Sequence, residues 1–243
     1  MTITPYSHVI EAAIAYGEVI EALAEGRARA KARGVEFAWM FDTVGEMGAA
    51  AAEFTISAAE KSPPDGLVAF GLSGLEAGVD RAHYADVFDR ARALGLWSVP
   101  HAGEADGPAS VWAALGFLRA DRIGHGVRAI EDDRLVAHLV EHKIPLEICP
   151  SSNVCTRAYP TLAEHPLPQL LEAGVIVTVN TDDPPMFATS LNEEYLRVSE
   201  AFSFGLETVA ALVSNGVRSS FLDATAKVRL LIEIETTAAQ FRS

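Results

Sequence analysis

The sequence predicts an α/β fold, with parallel strands in βα units arranged as a (β/α)8 barrel rather than an open sheet. Three observations predict it. Apolar runs of strand length alternate along the chain with helix-length stretches. The runs are apolar throughout rather than at every second residue, as strands buried on both faces are. Reactive side chains stand at the C-terminal ends of several runs, whereas an open doubly wound sheet gathers its ligand groups at one crevice.

The elements follow in order. Residues 8–33 are alanine-rich with helical spacing of apolar residues, and Gly34 suits the stop position after a helix. "VEFAWMFD" from Val35 is the first strand, followed by a helix over 45–61 and a second strand, "LVAFGLSG", from Leu67. A helix over 82–94 ends at Gly95 before the strand "LWSVPHAGE" from Leu96, and a helix over 109–118 precedes "DRIGHG" from Asp121. Helix 132–142, strand "IPLEICPSS" from Ile144, helix 162–173 and strand "VIVTVNTDD" from Val175 complete the alternation. Beyond Asp183 the pattern is helical, over 191–204, 206–215 and 224–241. This makes about six strands, and no proline- or serine-rich linker divides them, so one domain over 1–243 is expected.

Composition narrows the function. Hydrophobic residues make up 49% of the 243, enough for a sizeable core. No apolar run approaches the roughly 20 residues that cross a bilayer. The start "MTITPYSHVIEAA" lacks a basic n-region and apolar h-region, so a cytoplasmic location is expected. A net charge of −14 argues against a nucleic-acid backbone or an anionic membrane as partner and favours a small neutral or cationic ligand. Cys149 and Cys155 make no disulfide framework and read as a strand-end thiol and a loop thiol.

The strand ends carry the chemistry. One ends in Ser73-Gly74, the next in His101 and Glu104, another in His125 between two glycines, and the last in Asp182-Asp183. A polar group in an apolar strand costs several kcal/mol if unpaired, so these residues are expected to share one wet pocket. Imidazole and carboxylate can bind zinc, while a carboxyl and a second imidazole can move protons, which suits metal-assisted hydrolysis. Singly, Gly-His-Gly could be a buried histidine between tight turns, and Asp-Asp-Pro a helix N-cap.

"HAGE" at 101–104, "RIGHG" at 122–126, "CPSSN" at 149–153 and "TDDP" at 181–184 resemble the adenosine deaminase family, in its order and near its spacing, over roughly residues 6–230. The resemblance implies a (β/α)8 barrel of the metal-dependent hydrolase kind with one catalytic zinc ion. It makes His101 and Asp182 zinc ligands and Glu104 the group that protonates purine N1. It makes His125 the histidine that orients and helps deprotonate the zinc-bound water. Asp183 would hydrogen-bond N7, and the Gly74 backbone would donate to N3. The implied reaction is hydrolytic deamination at C6 of a small-molecule purine nucleoside, of the adenosine-to-inosine type. The H-x-E and P-C-x-x-C signature of the small zinc deaminases is absent.

The chain departs from the family in lacking its initial His-x-His pair: none of its seven histidines lies one residue from another. The first one or two βα units are therefore expected to be missing, leaving the barrel incomplete. His138 and His142 have a zinc-binding spacing but read as a solvated helix face, and His83 and His165 as surface or loop residues. "FGLSGLEAG" has Gly71 where the family often has aspartate. That form, with "SVPHAGE", "CPSSNVCTRA" and "DDPPMF", looks like the bacterial subgroup that includes the 6-amino-6-deoxyfutalosine deaminases of menaquinone synthesis. "IGHG" rather than "IDHG" favours a nucleoside over free adenine. Two alternatives to adenosine thus stand: 6-amino-6-deoxyfutalosine as substrate, or a truncated, non-catalytic protein with a purine-binding or interaction role.

Overall fold

A computed structural model describes residues 1–242. Its contacts fall into two compact units, Met1–His101 with Trp112–Asp121, and Ala102–Val111 with the chain from Arg122 onward. Seven strands alternate with helices, and within each unit neighbouring strands run parallel in chain order.

The first unit holds β1 (Thr2–Ile3), β2 (Trp39–Val44), β3 (Leu67–Ser73) and β4 (Trp97–Ala102). Their register aligns Ile3 with Phe41, Phe41 with Phe70, and Phe70 with Ser98. β1 is the strand missing from the count of six, because two residues are too short to read as an apolar run. Three helices cover this unit: α1 (Tyr16–Lys31), α2 (Gly48–Lys61) and α3 (Ala85–Ala93). Phe41, Phe70, Phe88 and Ile56 are fully buried among them, each contributing roughly 1.5–3 kcal/mol. The Phe70 and Phe88 rings meet edge to face with centroids 5.1 Å apart.

The helix expected over 8–33 is broken. A short π-turn over Ser7–Glu11 gives way to Ala13 at φ 55° and an extended Ala15, and only then does α1 begin. Ile10 and Ile14 are exposed, so no buried face holds that first segment in line with α1. Glu18 accepts the Ala15 N–H at 3.2 Å and caps the new N-terminus.

α4 (Pro108–Phe117) carries residues of both units. The second unit holds β5 (Ile123–His125), β6 (Leu146–Ile148) and β7 (Val177–Val179). Its helices are α5 (Asp133–His142), α6 (Pro150–Cys155), α7 (Leu167–Glu172), α8 (Pro184–Phe187), α9 (Leu191–Phe202), α10 (Leu206–Ser219) and α11 (Ala224–Gln240). Ile123, Leu135, Leu139, Leu146, Ile148, Leu167 and Leu170 form its fully buried interior. The Asp132 carboxylate accepts the Arg134 N–H at 2.9 Å and starts α5, whose Leu135 and Leu139 share one buried face. α6 and α8 each open on proline, which suits a first helical turn, and their brevity hid them from periodicity. No helix among the described residues is long and apolar enough to cross a membrane.

Candidate active site

In the first unit, β3 delivers Ser73 and Gly74 and β4 delivers His101. Gly74 has φ 85°, and a Cβ there would crowd the Val44 and Glu46 side chains, so the position favours glycine. Glu46 accepts the Leu75 N–H at 2.9 Å and fixes the turn. The His101 carbonyl accepts from Arg81 Nη2 at 3.0 Å, and Arg81 is paired with Glu76 at 3.4 Å, both buried. Gly74 and His101 line one small cleft.

The gap left by Gly71 is filled from the neighbouring strand. Asp42 lies opposite Gly71, and a Cβ on Gly71 would sit 2.5 Å from Asp42 Oδ1. Asp42 is fully buried; Ser73 donates its hydroxyl to Oδ2, while Oδ1 has no hydrogen-bond partner. Burial raises this carboxyl from 3.8 to about 7, against the opposing pull of the Ser73 hydroxyl. The unfolded chain therefore releases this proton at lower pH than the folded one. The stability contribution is complete below pH 3.8 and is lost as pH rises through about 7. Asp42→Asn removes that titration. The variant's stability relative to the parent is expected to grow by roughly 2–4 kcal/mol between pH 4 and pH 8 in urea unfolding. A difference that stays constant across that range would contradict the burial argument.

The second unit gathers Glu104, His125 and Asp182. His125 Nε2 lies 3.5 Å from Glu104 Oε2 and 3.9 Å from Asp182 Oδ2. His125 is the last residue of β5 with φ 59°, and Asp182 follows β7 with φ 55°; left-handed backbone at non-glycine residues costs about 1–3 kcal/mol and gathers at functional sites. Burial lowers the His125 pKa while Asp182 opposes it. Glu104 accepts from Thr156 Oγ1 at 2.8 Å, and Asp182 accepts from Ser152 Oγ at 2.7 Å. Asp183 stands exposed at the start of α8, its carbonyl accepting the amides of Met186 and Phe187 at 3.0 Å.

Three residues of this site escaped sequence reasoning. Asn153 is fully buried, with its amide nitrogen 3.0 Å from His125 Nδ1 and 3.5 Å from Glu104 Oε1. His165, expected at the surface or in a loop, lies between helical segments but is 1% exposed, and its Nε2 lies 3.2 Å from Asn153 Oδ1. Burial depresses its pKa to about 4. Glu194, fully buried on α9, accepts the Ser151 N–H at 3.0 Å and a hydroxyl from Thr189, and so joins the turn opening α6 to the segment after α8. His138 and His142 stack with ring centroids 4.0 Å apart on α5, and His83 is exposed, as expected of surface positions.

A ring nitrogen of His125, Cys149 Sγ and a carboxylate oxygen of Asp182 lie within 4.8 Å of one another, a nitrogen, sulfur and oxygen set that suits zinc. Burial and the nearby carboxylates, Asp182 foremost, push the Cys149 thiol well up, and its S–H donates to Glu147 O at 3.6 Å. Cys149 is thus the weakest donor of the three, and Asp182 belongs to both this set and the expected one.

Residues 1–237 match the family model described as adenosine deaminase. The chain is 48% identical over 242 residues to an aminodeoxyfutalosine deaminase of Streptomyces avermitilis, covering 98% of this chain and 67% of that protein. It is equally identical to the aminodeoxyfutalosine deaminase of Streptomyces coelicolor, 48% over 242 residues, covering 98% of this chain and 62% of that one. The crystal structure of an adenine deaminase from Arthrobacter aurescens superimposes with a TM-score of 0.94 at 29% identity, covering 98% of this chain and 72% of that one. The chain thus spans 62–67% of the length of the Streptomyces relatives.

Proposed function

The chain belongs to the adenosine deaminase family, and from that premise we propose that it deaminates a 6-aminopurine nucleoside by hydrolysis. The observation that carries the proposal is the grouping of Glu104, His125 and Asp182, with the imidazole 3.5 Å and 3.9 Å from the two carboxyls. Glu104, aimed by Thr156, gives a proton to ring nitrogen N1 as water adds at C6. Asp182, held by Ser152, accepts a proton from that water, and His125 orients it. Asp182 returns its proton to the amine, the C6–N bond breaks and ammonia leaves, while the C6 hydroxyl gives up its proton to restore Glu104, and the 6-oxopurine remains. His101 and Asp182 would hold zinc, which supplies Lewis-acid activation of water when bound. Asp183 would bind N7 and the Gly74 amide N3. One catalytic domain over residues 1–243 and a cytoplasmic site of action belong to the same proposal.

Among nucleosides we place aminodeoxyfutalosine ahead of adenosine. The two Streptomyces relatives carry that name at 48% identity, and the Gly71 form of the strand before Gly74 agrees with that subgroup. Ammonia release by the zinc-supplemented protein is expected to be fastest from aminodeoxyfutalosine, then adenosine, with adenine last. Adenine as best substrate would overturn the order. No release from any of the three would overturn the function.

A further inference from the structure

His165 lies outside every assigned role, yet it is among the most deeply buried polar residues of the second unit. Its hydrogen bonds can be followed outward from one fixed donor. The backbone N–H of Leu167 points at His165 Nδ1, 3.2 Å away, and a backbone amide can only donate. His165 Nδ1 is therefore a bare acceptor, and the proton of the neutral ring sits on Nε2. That Nε2–H meets Asn153 at 3.2 Å, so the Asn153 atom facing it is the carbonyl oxygen. The amide NH2 of Asn153 then faces the other way, 3.0 Å from His125 Nδ1. An NH2 can only donate, so His125 Nδ1 is an acceptor and its proton too is on Nε2.

Two further contacts agree with this polarity. Asn153 Nδ2 also lies 3.5 Å from Glu104 Oε1, where an amide oxygen would face a carboxylate. His125 Nε2 faces the two carboxyls, Glu104 at 3.5 Å and Asp182 at 3.9 Å, as an N–H should. Reversing Asn153 would set oxygen against carboxylate on one side and two donors against each other on the other. Asn153 and His165 are at most 1% exposed, so water does not readily repair the mismatch.

We infer that His165 is a positioning residue which, through Asn153, locks His125 in the tautomer with its proton on Nε2. With Nδ1 taken by Asn153 and Nε2 protonated, His125 has no ring nitrogen for the zinc set it shares with Cys149; it faces the reacting water as a hydrogen-bond donor, and the proton from that water goes to Asp182. This last assignment rests on the proposed deamination; the tautomer lock does not.

The test is nitrogen NMR of the full chain labelled with 15N-histidine, with the rings of His125 and His165 assigned by substitution. Both are expected to show a protonated Nε2 and a bare Nδ1. A protonated Nδ1 on either ring overturns the lock. His165→Phe is expected to leave His125 as a mixture of tautomers and to lower turnover by about 10–100-fold, the usual cost of losing an orienting partner. His165→Gln, whose amide can still donate to Asn153, is expected to restore the single tautomer. Unmoved His125 signals in a folded His165→Phe protein would show that His165 does not set them. Should that variant not fold, Asn153→Asp reads the same link: its carboxylate is expected to draw a proton onto His125 Nδ1, and failure to do so overturns the inference. Correct tautomers without ammonia release from any 6-aminopurine would refute the function and leave the lock intact.

Discussion

Glu104→Gln is expected to lower turnover by about 10²–10⁴-fold while the protein stays folded and keeps its metal content. The substitution preserves the shape of the side chain and an oxygen for the Thr156 hydroxyl, 2.8 Å away in the parent. What it removes is the proton that, in the proposed reaction, N1 receives as water adds at C6. Without it, negative charge builds on the ring in the transition state. The binding of a purine nucleoside product, which needs no such proton, should change far less than turnover. Steady-state kinetics together with product affinity separate the two effects, and normal turnover by this variant would refute the assignment of Glu104.

Asp182→Asn is expected to act on two readouts at once. Turnover should fall by roughly 10³-fold or more, through loss of the group proposed to take the water proton, and zinc retained after dialysis should fall with it. The backbone argues that the fold survives. Asp182 has φ 55°, and asparagine is among the few side chains that tolerate this left-handed region. The amide oxygen of the substituted side chain can also keep the bond from Ser152, 2.7 Å in the parent, so charge is the main loss. Elemental analysis of the dialysed variant measures the metal, and zinc held as tightly as in the parent would remove Asp182 from the ligand set.

Much of the fold was legible because apolar runs and glycine stops are local signals. The strands ending at Ser73, Ala102 and His125 lie where those runs predicted them. The break before α1 was not legible, since the alanine-rich segment satisfies helical spacing on both sides of Ala13 and only missing tertiary contacts interrupt it. For the site, Glu104, His125 and Asp182 stood out as polar residues at the ends of apolar strands, and the structure brings these three together. Their supports were not legible. Asn153 was visible within "CPSSN" but given no role, and His165 looks like a loop histidine until α7 packs it inward. The pairing of Asp42 with Gly71 depends on strand register, which sequence alone specifies only through the pattern of buried faces.

On the proposed reaction, oxygen from water replaces the C6 amine of a purine nucleoside. The most direct measurement is the mass of the product formed from aminodeoxyfutalosine by the zinc-supplemented protein in 18O-labelled water. One heavy oxygen in the 6-oxopurine, with one equivalent of ammonia released, is the predicted result. Unchanged nucleoside after prolonged incubation with folded, zinc-bearing protein, or a product without the heavy oxygen, would contradict it.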